Sequence, residues 1–275
     1  MDFNDRVVLI TGASSGIGAA TAIHFSKLSA KLVLVARNEK NLKRIALYCD
    51  KSKGVSAQCI VADVTNDEDL QRIINETIEH HGKLDVLINN AGIVGMGGIK
   101  NSNMETYDKV MTTNLRSVYY LTQLAVPHLI QSKGCIVNTS CISSSKVSTM
   151  ALAYNMSKAG LDNFTKCIAL ELAPDGVRVN SVNPGFVKTN LLKNIGLNDD
   201  QLELFTKNVI GNMPLKKPVE GDEVAALIAY LASDKAKGIT GSNFVIDGGS
   251  LSSLDSFARA FNALCIIFRR PWRDR

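Results

Sequence analysis

The sequence predicts an α/β fold built on one doubly wound, parallel sheet of seven strands. Short runs rich in Val, Ile and Leu alternate with longer helical patterns along almost the whole chain. Within these runs apolar and polar residues do not alternate cleanly, which is typical of strands covered on both faces. Seven such runs with intervening helices favour a doubly wound sheet. The candidate strands are 7–11, 31–36, 57–62, 86–89, 135–139, 177–183 and 243–246.

Two long helices are predicted between the later strands, over residues 104–130 and 151–173. In each of them apolar side chains recur on one face. These positions are Val110, Val118, Leu121, Ala125 and Leu129 in the first helix and Leu161, Phe164, Ile168 and Leu172 in the second. Pro174-Asp175-Gly176 ends the second helix. Because no linker interrupts the pattern, we expect a single domain over residues 1–249 and a tail over 250–275.

The composition excludes several classes of protein. Of the 275 residues, 45% are hydrophobic and 21% are charged, which excludes disordered and fibrous chains. The net charge of +5 is too mild and too scattered for a nucleic-acid partner. No apolar run reaches the length of a membrane span, and no signal peptide precedes the first strand. We therefore expect a cytoplasmic protein.

The cysteines predict neither a disulfide framework nor a metal site. They are Cys49, Cys59, Cys135, Cys141, Cys167 and Cys265. None forms a Cys-x-x-Cys pair, and Cys135 and Cys141 have no nearby His at metal-ligand spacing. Reduced thiols of an intracellular protein are the simplest interpretation.

A glycine-rich turn joins the first strand to the first helix and makes the predicted fold Rossmann-like. Glycine lets the backbone turn sharply and approach a ligand closely, while the N–H groups that begin a helix favour a pyrophosphate. The spacing is Gly-x-x-x-Gly-x-Gly rather than the usual Gly-x-Gly-x-x-Gly, and a tight turn without a ligand is the alternative. The residues expected to bind the pyrophosphate of a dinucleotide cofactor here are Gly12, Ser14, Ser15, Gly16, Ile17 and Gly18.

The end of the second strand favours NADP over NAD. NAD-binding proteins place a carboxylate near this point to bind the ribose, but Ala36 occupies the expected position. Arg37 follows and offers a guanidinium that can bind a 2′-phosphate and stack on adenine. A solvated arginine at the start of a helix is the alternative interpretation.

Three further motifs complete the pattern of a known family. Residues 89–92 read Asn-Asn-Ala-Gly after the fourth strand, 154–158 read Tyr-Asn-Met-Ser-Lys at the start of a helix, and 183–185 read Asn-Pro-Gly after the sixth strand. Together with the glycine-rich turn, the chain resembles the short-chain dehydrogenase/reductase family over residues 4–249. The resemblance implies a nicotinamide-dependent oxidoreductase that interconverts a carbonyl and an alcohol.

The resemblance makes Tyr154 and Lys158 the catalytic pair. Residues four apart project from one face of a helix. A free phenol has a pKa of about 10, which a nearby ammonium and the positive nicotinamide would lower. Tyr154 would then exchange a proton with the substrate oxygen, and Lys158 would also bind the nicotinamide ribose. An ordinary surface pair on a helix is the alternative.

The resemblance assigns further roles to polar residues elsewhere. Asn114 matches the asparagine that holds a water between the lysine and solvent, with a structural polar contact as the alternative. Asp63 and Val64 match the pair that contacts adenine, although Asp63 is alternatively a cap or turn residue. Asn90 is expected beside the adenosine ribose and Thr189 near the carboxamide. The remaining cofactor-binding positions are Ala91, Gly92, Pro184, Gly185 and Val187.

One catalytic position departs from the family pattern. The family places a serine 13 residues before the tyrosine to hydrogen-bond the substrate oxygen, and Cys141 stands there in this chain. A thiol is a weaker donor than a hydroxyl. Cys141 serves directly, or Ser143 replaces it from the same side of an extended segment, or Ser140 replaces it after a one-residue shift. We favour a pocket lined by Cys141 in which Ser143 or a water donates.

Two segments carry apolar residues without a motif. In the tail these residues have helical spacing, which suits a cover over the site or an oligomer interface, a membrane-surface contact, or a frayed terminus. In the segment 186–213 they favour a mostly apolar substrate, although helix packing explains them equally well. The residues are Phe257, Phe261, Leu264, Ile267 and Phe268 in the tail and Phe186, Leu191, Leu192, Ile195, Leu197, Phe205 and Ile210 in the segment.

We therefore expect an NADP-dependent ketone or aldehyde reductase without a bound metal. Family members commonly pack long helices and the last strand across two-fold axes, so the resemblance also implies a homo-oligomer, with a tetramer favoured. An NAD-dependent alcohol dehydrogenase is one alternative. A catalytically weak regulatory protein that binds a dinucleotide is another, since a fold alone does not prove an activity.

Overall fold

The computed structural model describes residues 1–53, 56–189, 191 and 198–253. The apolar tail residues from Phe257 to Phe268 therefore lie outside the described residues. The same holds for Leu192, Ile195 and Leu197 of the predicted substrate segment, and for Cys265.

Within the described residues, seven parallel strands form one sheet, as predicted. Their bounds are β1 Val7–Thr11, β2 Lys31–Ala36, β3 Gln58–Val61, β4 Val86–Asn89, β5 Cys135–Thr139, β6 Arg178–Pro184 and β7 Asn243–Ile246. They lie side by side in the order β3-β2-β1-β4-β5-β6-β7.

Five strands have the predicted bounds, and β3 and β6 differ at their ends. β3 begins one residue late because the Ala57 N–H donates to the Asp50 carboxylate on the preceding helix. β6 starts at Arg178 because the Val177 N–H still bonds back to the carbonyl of Leu172. These shifts move a strand end by one residue and leave the sheet unchanged.

Eight α-helices are described along the chain. They are α1 Gly16–Lys27, α2 Glu39–Lys53, α3 Asp67–His81, α4 Met104–Met111, α5 Ser117–Ser132, α6 Leu152–Leu172, α7 Asp199–Asn212 and α8 Gly221–Ala232. None of the described helices has the length and apolar character needed to cross a membrane.

The helix predicted over 104–130 differs from a regular α-helix. A π-helical segment, Thr112–Arg116, separates α4 from α5. The apolar face is still continuous, since Val110 before this segment and Val118 after it are both buried. Segments of this kind are often found at functional sites, and Asn114 lies inside this one.

The two faces of the sheet are covered by different helices. Val8 and Ile10 of β1 face a core formed with α1, α2 and α8, whereas Val7 and Leu9 face a core formed with α3, α5 and α6. Both alternating sets of side chains are thus buried, which explains why the strands show no apolar–polar alternation.

The fold places a crevice between β1 and β4. The chain leaves β1 toward β2 on one side and returns to β4 on the other side. In doubly wound sheets, ligands bind outside the carboxyl ends of the strands at such a switch point.

Candidate active site

A cavity of about 350 Å³ opens at this switch point, within the size range of small-molecule sites. It brings together nearly all the predicted cofactor-binding residues from β1, β2, β3, β4, α6 and the segment after β6. The predicted residues that line it are Gly12, Ser14, Ser15, Gly16, Ile17, Arg37, Asp63, Val64, Asn90, Ala91, Gly92, Tyr154, Lys158, Pro184, Gly185, Val187 and Thr189.

The turn after β1 needs its glycines for conformation and for close packing. Gly12 has φ +68°, and a Cβ there would lie 2.9 Å from Nδ2 of Asn90. Gly18 is not among the cavity residues. A Cβ on Gly18 would lie 2.3 Å from the Gly12 carbonyl oxygen, so this glycine lets α1 pack against the turn.

The start of α1 is suited to an anion. Ser15 is the N-cap residue, yet its side chain makes no capping hydrogen bond, and the first turn contains no acidic residue. The backbone N–H groups of this first turn point out of the helix N-terminus. A negative charge bound there is stabilised by these N–H groups and by the helix dipole.

Asn90 fixes the two sides of the cavity to each other. Its Nδ2 donates to the carbonyl oxygen of Thr11 at 3.0 Å. The Thr11 hydroxyl in turn accepts from the backbone N–H groups of Asn90 (3.0 Å) and Ala91 (3.1 Å). The Asn90 amide therefore holds the end of β1 beside the end of β4.

Arg37 and Asp63 lie together at the outer rim. Nη1 of Arg37 is 3.4 Å from Oδ2 of Asp63, and the arginine side chain is 65% exposed. Asp63 also accepts from the N–H and hydroxyl of Thr65, whereas Asn66 caps α3. Burial raises the pKa of the Asp63 carboxyl, but the bonds from Thr65 and the Arg37 charge outweigh it and hold the pKa below its usual range.

Tyr154 and Lys158 lie at the inner end of the cavity on α6. Both side chains are buried, at 8% and 4% exposure. The Lys158 Nζ is 5.7 Å from the centre of the Tyr154 ring and donates to the Thr139 carbonyl oxygen at 2.8 Å. The interpretation of a surface pair on a helix is therefore wrong.

Burial is the main influence on the acidity of both groups. It raises the pKa of the Tyr154 phenol well above 10, and the adjacent Cys141 side chain raises it further. Burial lowers the pKa of Lys158 to about 8, although Cys141 and Asp162 partly oppose this. The protein residues alone therefore do not produce the lowered phenol pKa that the sequence predicted, which also assumed a positive nicotinamide.

We expect the buried Lys158 ammonium to make the stability of the fold pH-dependent. Its folded pKa of about 8 lies below the ordinary 10.5, so between these values the unfolded chain binds more protons and stability rises with pH. Relative to Lys158→Met, the unmodified protein should gain roughly 2 kcal/mol in free energy of unfolding between pH 8 and pH 10. Urea unfolding at both pH values measures this difference.

Lys166→Met is the matched control because Lys166 is an exposed lysine on the same helix. The quantity compared is the difference in free energy of unfolding between the unmodified protein and each variant. If this difference does not change with pH for Lys158→Met, or changes equally for Lys166→Met, the expected cost of burying the ammonium is contradicted.

Asn114 is completely buried beside the pair. Its Oδ1 accepts from the Ile93 N–H at 2.8 Å, and its Nδ2 donates to the Ile93 carbonyl at 2.9 Å and to the Ser157 hydroxyl at 3.1 Å. Its side chain thus fixes the segment after β4 to α6. This is the structural polar contact that the sequence left open, and the water-holding role of Asn114 stays a prediction.

The segment after β5 places two candidate donors together. Residues Ile142–Ser144 form a 3₁₀ turn, so the extended conformation predicted for Ser143 is wrong. The turn nevertheless brings the Cys141 Sγ within 3.4 Å of the Ser143 hydroxyl. Cys141 and Ser140 line the cavity, whereas Ser143 is not among its lining residues. The Ser140 hydroxyl bonds to the backbone carbonyl of Lys158.

The cavity is also lined by residues that were not predicted from the sequence, namely Val35, Asn38, Ala62, Ile93, Thr113 and Thr139. Thr139 is the most informative of them, because its Oγ1 is buried and makes no hydrogen bond within the described residues. Its position at the carboxyl end of β5 is the signal that would have found it.

Comparison with known proteins finds relatives over nearly the whole chain. A family model described as enoyl-(acyl carrier protein) reductase matches residues 12–250. The chain is 34% identical over 253 residues to the meso-2,3-butanediol dehydrogenase of Serratia marcescens, covering 92% of this chain and 97% of that protein. It is 33% identical over 250 residues to the 3-oxoacyl-(acyl-carrier-protein) reductase of Thermotoga maritima, covering 90% and 99%.

The fold is also similar to solved structures. A short-chain dehydrogenase/reductase from Caenorhabditis elegans, crystallised with its cofactor, superposes with a TM-score of 0.87 at 33% identity. The match covers 93% of this chain and 98% of that one.

Proposed function

Because the chain belongs to the short-chain dehydrogenase/reductase family, we propose that it is an NADP(H)-dependent reductase of a ketone or aldehyde with mostly apolar substituents. The observation that carries this proposal is the position of Tyr154 and Lys158 at the inner end of a cavity that begins at the α1 N-terminus. Such an arrangement joins a proton donor to an anion-binding crevice.

The residues of the cavity fit a nicotinamide dinucleotide. The uncapped start of α1 suits the pyrophosphate, and Thr139, whose buried hydroxyl has no partner within the described residues, lines the same cavity. Arg37 and Asp63 would hold the adenosine end, and Lys158 the nicotinamide ribose. The bound cofactor would supply the hydride of the reduction.

The protein supplies the proton and the place for the substrate oxygen. Tyr154 donates its phenolic proton to the oxygen as an alcohol forms. Lys158 stabilises the remaining phenolate by its charge. Ile93, Val94, Tyr107 and Val110 belong to the apolar cluster that contains Tyr154, and Ile93 also lines the cavity, which supports a substrate with apolar groups next to its carbonyl.

The rim residues support NADP as the cofactor. The Ala36 side chain has no group that binds a ribose hydroxyl, while the exposed Arg37 guanidinium is held, among the described residues, by a single long contact with Asp63. A guanidinium and a 2′-phosphate form strong charge-assisted hydrogen bonds.

We expect Arg37→Ala to weaken NADPH binding roughly ten- to a hundredfold, because a charge-assisted hydrogen bond is worth about 1.5–3 kcal/mol. NADH binding should change little, since NADH lacks the phosphate. Calorimetric titration with each cofactor measures the two losses. Arg44→Ala, at an exposed arginine on α2, controls for the loss of one positive charge. Equal losses for NADPH and NADH would contradict NADP selectivity.

The function is tested in two steps. Calorimetry with NADPH and NADH establishes which cofactor binds, and a panel of ketones, aldehydes, steroids and quinones is then followed by cofactor absorbance. Oxidation of NADPH by an apolar carbonyl supports the proposal. Tighter binding of NADH would favour an NAD-dependent alcohol dehydrogenase. Binding without turnover would favour a regulatory protein that binds a dinucleotide. This is the second candidate because Cys141 stands in place of the family serine.

Assembly and compartment complete the proposal. Tyr119 on α5 is 55% exposed and lies 5.7 Å from the Phe164 ring on α6. This apolar surface supports a homo-oligomer, with a tetramer favoured, that packs these helices against a second copy.

The described cysteines are free thiols, which supports a cytoplasmic protein.

A further inference from the structure

Asp162 is a buried carboxylate one helical turn beyond Lys158 on α6. It is only 7% exposed, and in the described structure it accepts a short hydrogen bond from the neutral Asn183 side chain, with the Ser181 hydroxyl 3.5 Å away. A buried carboxylate is costly unless it is well hydrogen-bonded. The position therefore requires an explanation beyond the packing of α6.

The carboxylate lies at the centre of a buried polar network that joins α6 to the sheet. Its Oδ2 accepts from Nδ2 of Asn183 at 2.8 Å, and its Oδ1 is 3.5 Å from the Ser181 hydroxyl. The same hydroxyl is 2.7 Å from Oδ1 of Asn183 and 3.0 Å from Oδ1 of Asn243 on β7. Both ends of the Asn183 amide are thereby oriented.

Asn183 extends this network to the turn that follows β5. Its Nδ2 lies 3.2 Å from the Ser144 hydroxyl and 3.4 Å from the Cys141 carbonyl oxygen. Cys141 directly precedes the 3₁₀ turn and Ser144 is its last residue, and the Cys141 thiol lies 3.4 Å from the Ser143 hydroxyl between them. Any rotation of the Asn183 amide would release both contacts.

We propose that Asp162 is a positioning residue, which through Asn183 holds the turn carrying Cys141 and Ser143 against Tyr154. A carboxylate suits this task because it only accepts hydrogen bonds and so fixes which end of the Asn183 amide faces the turn. An amide at position 162 offers both a donor and an acceptor, so it could pair with the Asn183 amide in either of that amide's two orientations. The catalytic consequence rests on the proposed function, whereas the effect on the turn does not.

The effect on the turn is tested by the alkylation rate of Cys141, measured with iodoacetamide and peptide mass spectrometry. We expect Asp162→Asn to raise this rate about tenfold, the factor that corresponds to 1.4 kcal/mol. Ser144→Ala removes only one contact at the far end of the network and should give a smaller increase. It serves as the second variant if Asp162→Asn does not fold.

Thr165→Val is the matched control for a lost buried hydrogen bond on the same helix. Thr165 is fully buried, and its hydroxyl bonds to Asn138 and to the Leu161 carbonyl, neither of which belongs to the turn. The Cys141 rate should be unchanged in Thr165→Val. An unchanged rate in Asp162→Asn and Ser144→Ala, or an equal rise in Thr165→Val, would overturn the proposal.

The pH profile distinguishes positioning from a loss of stability. The charged and titratable groups facing Lys158 are Tyr154 and Asp162 on α6 and Cys141 on the turn. Without the Asp162 charge, the alkaline limb of kcat should move to lower pH, and kcat should fall about tenfold with KM for NADPH unchanged. If the alkaline limb of kcat does not shift and kcat falls only in proportion to the loss of folded protein, the proposed effect of Asp162 on catalysis is overturned. If no turnover is found at all, the proposed function fails while the alkylation rates still decide the role of Asp162.

Discussion

Tyr154→Phe should abolish turnover and leave NADPH binding almost unchanged. The substitution removes only the hydroxyl, so the ring still packs against Val110, Ala151 and Ala153. General acid catalysis contributes about 10²–10⁴ in rate, and we expect kcat to fall by that amount. Stopped-flow or steady-state measurement of NADPH oxidation gives the rate, and calorimetry gives the cofactor affinity.

Because the pKa of the Tyr154 phenol is raised, we expect Tyr154→Phe to have its largest effect on the reduction. Burial and Cys141 raise the pKa of Tyr154 above its ordinary value, so at neutral pH the hydroxyl retains its proton and is available as a donor. Oxidation of an alcohol needs the phenolate instead and should therefore become faster as the pH rises.

Tyr107→Phe is the control for this experiment. Tyr107 packs on the same apolar cluster as Tyr154, so its substitution tests the loss of a phenolic hydroxyl close to Tyr154. A Tyr154→Phe variant that retained more than about a tenth of the activity would assign the proton to another group, since one general acid contributes at least about 10². A loss of NADPH affinity equal to the loss of rate would make Tyr154 a binding residue.

Much of the fold could be predicted because its signals are local. Parallel strands buried on both faces leave apolar runs that can be located in the sequence, and the glycine-rich turn marks the switch point at which the crevice opens. The four-residue spacing of Tyr154 and Lys158 is likewise sufficient to place both side chains on one face of α6.

The parts that could not be predicted depend on contacts between distant residues. The π-helical segment contains Asn114, whose partner Ile93 is 21 residues away. The orientation of the turn after β5 depends on Asn183, which is 42 residues from Cys141. No periodicity in the sequence encodes such pairs, so the roles of Asp162 and of the unsatisfied Thr139 hydroxyl depend on the three-dimensional arrangement of the chain.

The second large effect concerns the position where this chain carries Cys141 in place of the family serine. We expect Ser143→Ala to lower kcat at least tenfold, because loss of one hydrogen-bond donor to a developing oxyanion costs about 10²–10³ in rate. Cys141→Ser should maintain or raise kcat, since a hydroxyl is the stronger donor and the position lines the cavity beside Tyr154.

The geometry supports cooperation between the two side chains. The Cys141 thiol donates to the Ser143 hydroxyl at 3.4 Å, and we expect the serine, or a water that it holds, to donate to the substrate oxygen next to the thiol. The Ser140 hydroxyl is bonded to the α6 backbone instead. Ser145→Ala, at an exposed serine directly after the turn, controls for removing a hydroxyl from this segment. A fully active Ser143→Ala variant together with an inactive Cys141→Ala variant would assign the donor to the thiol.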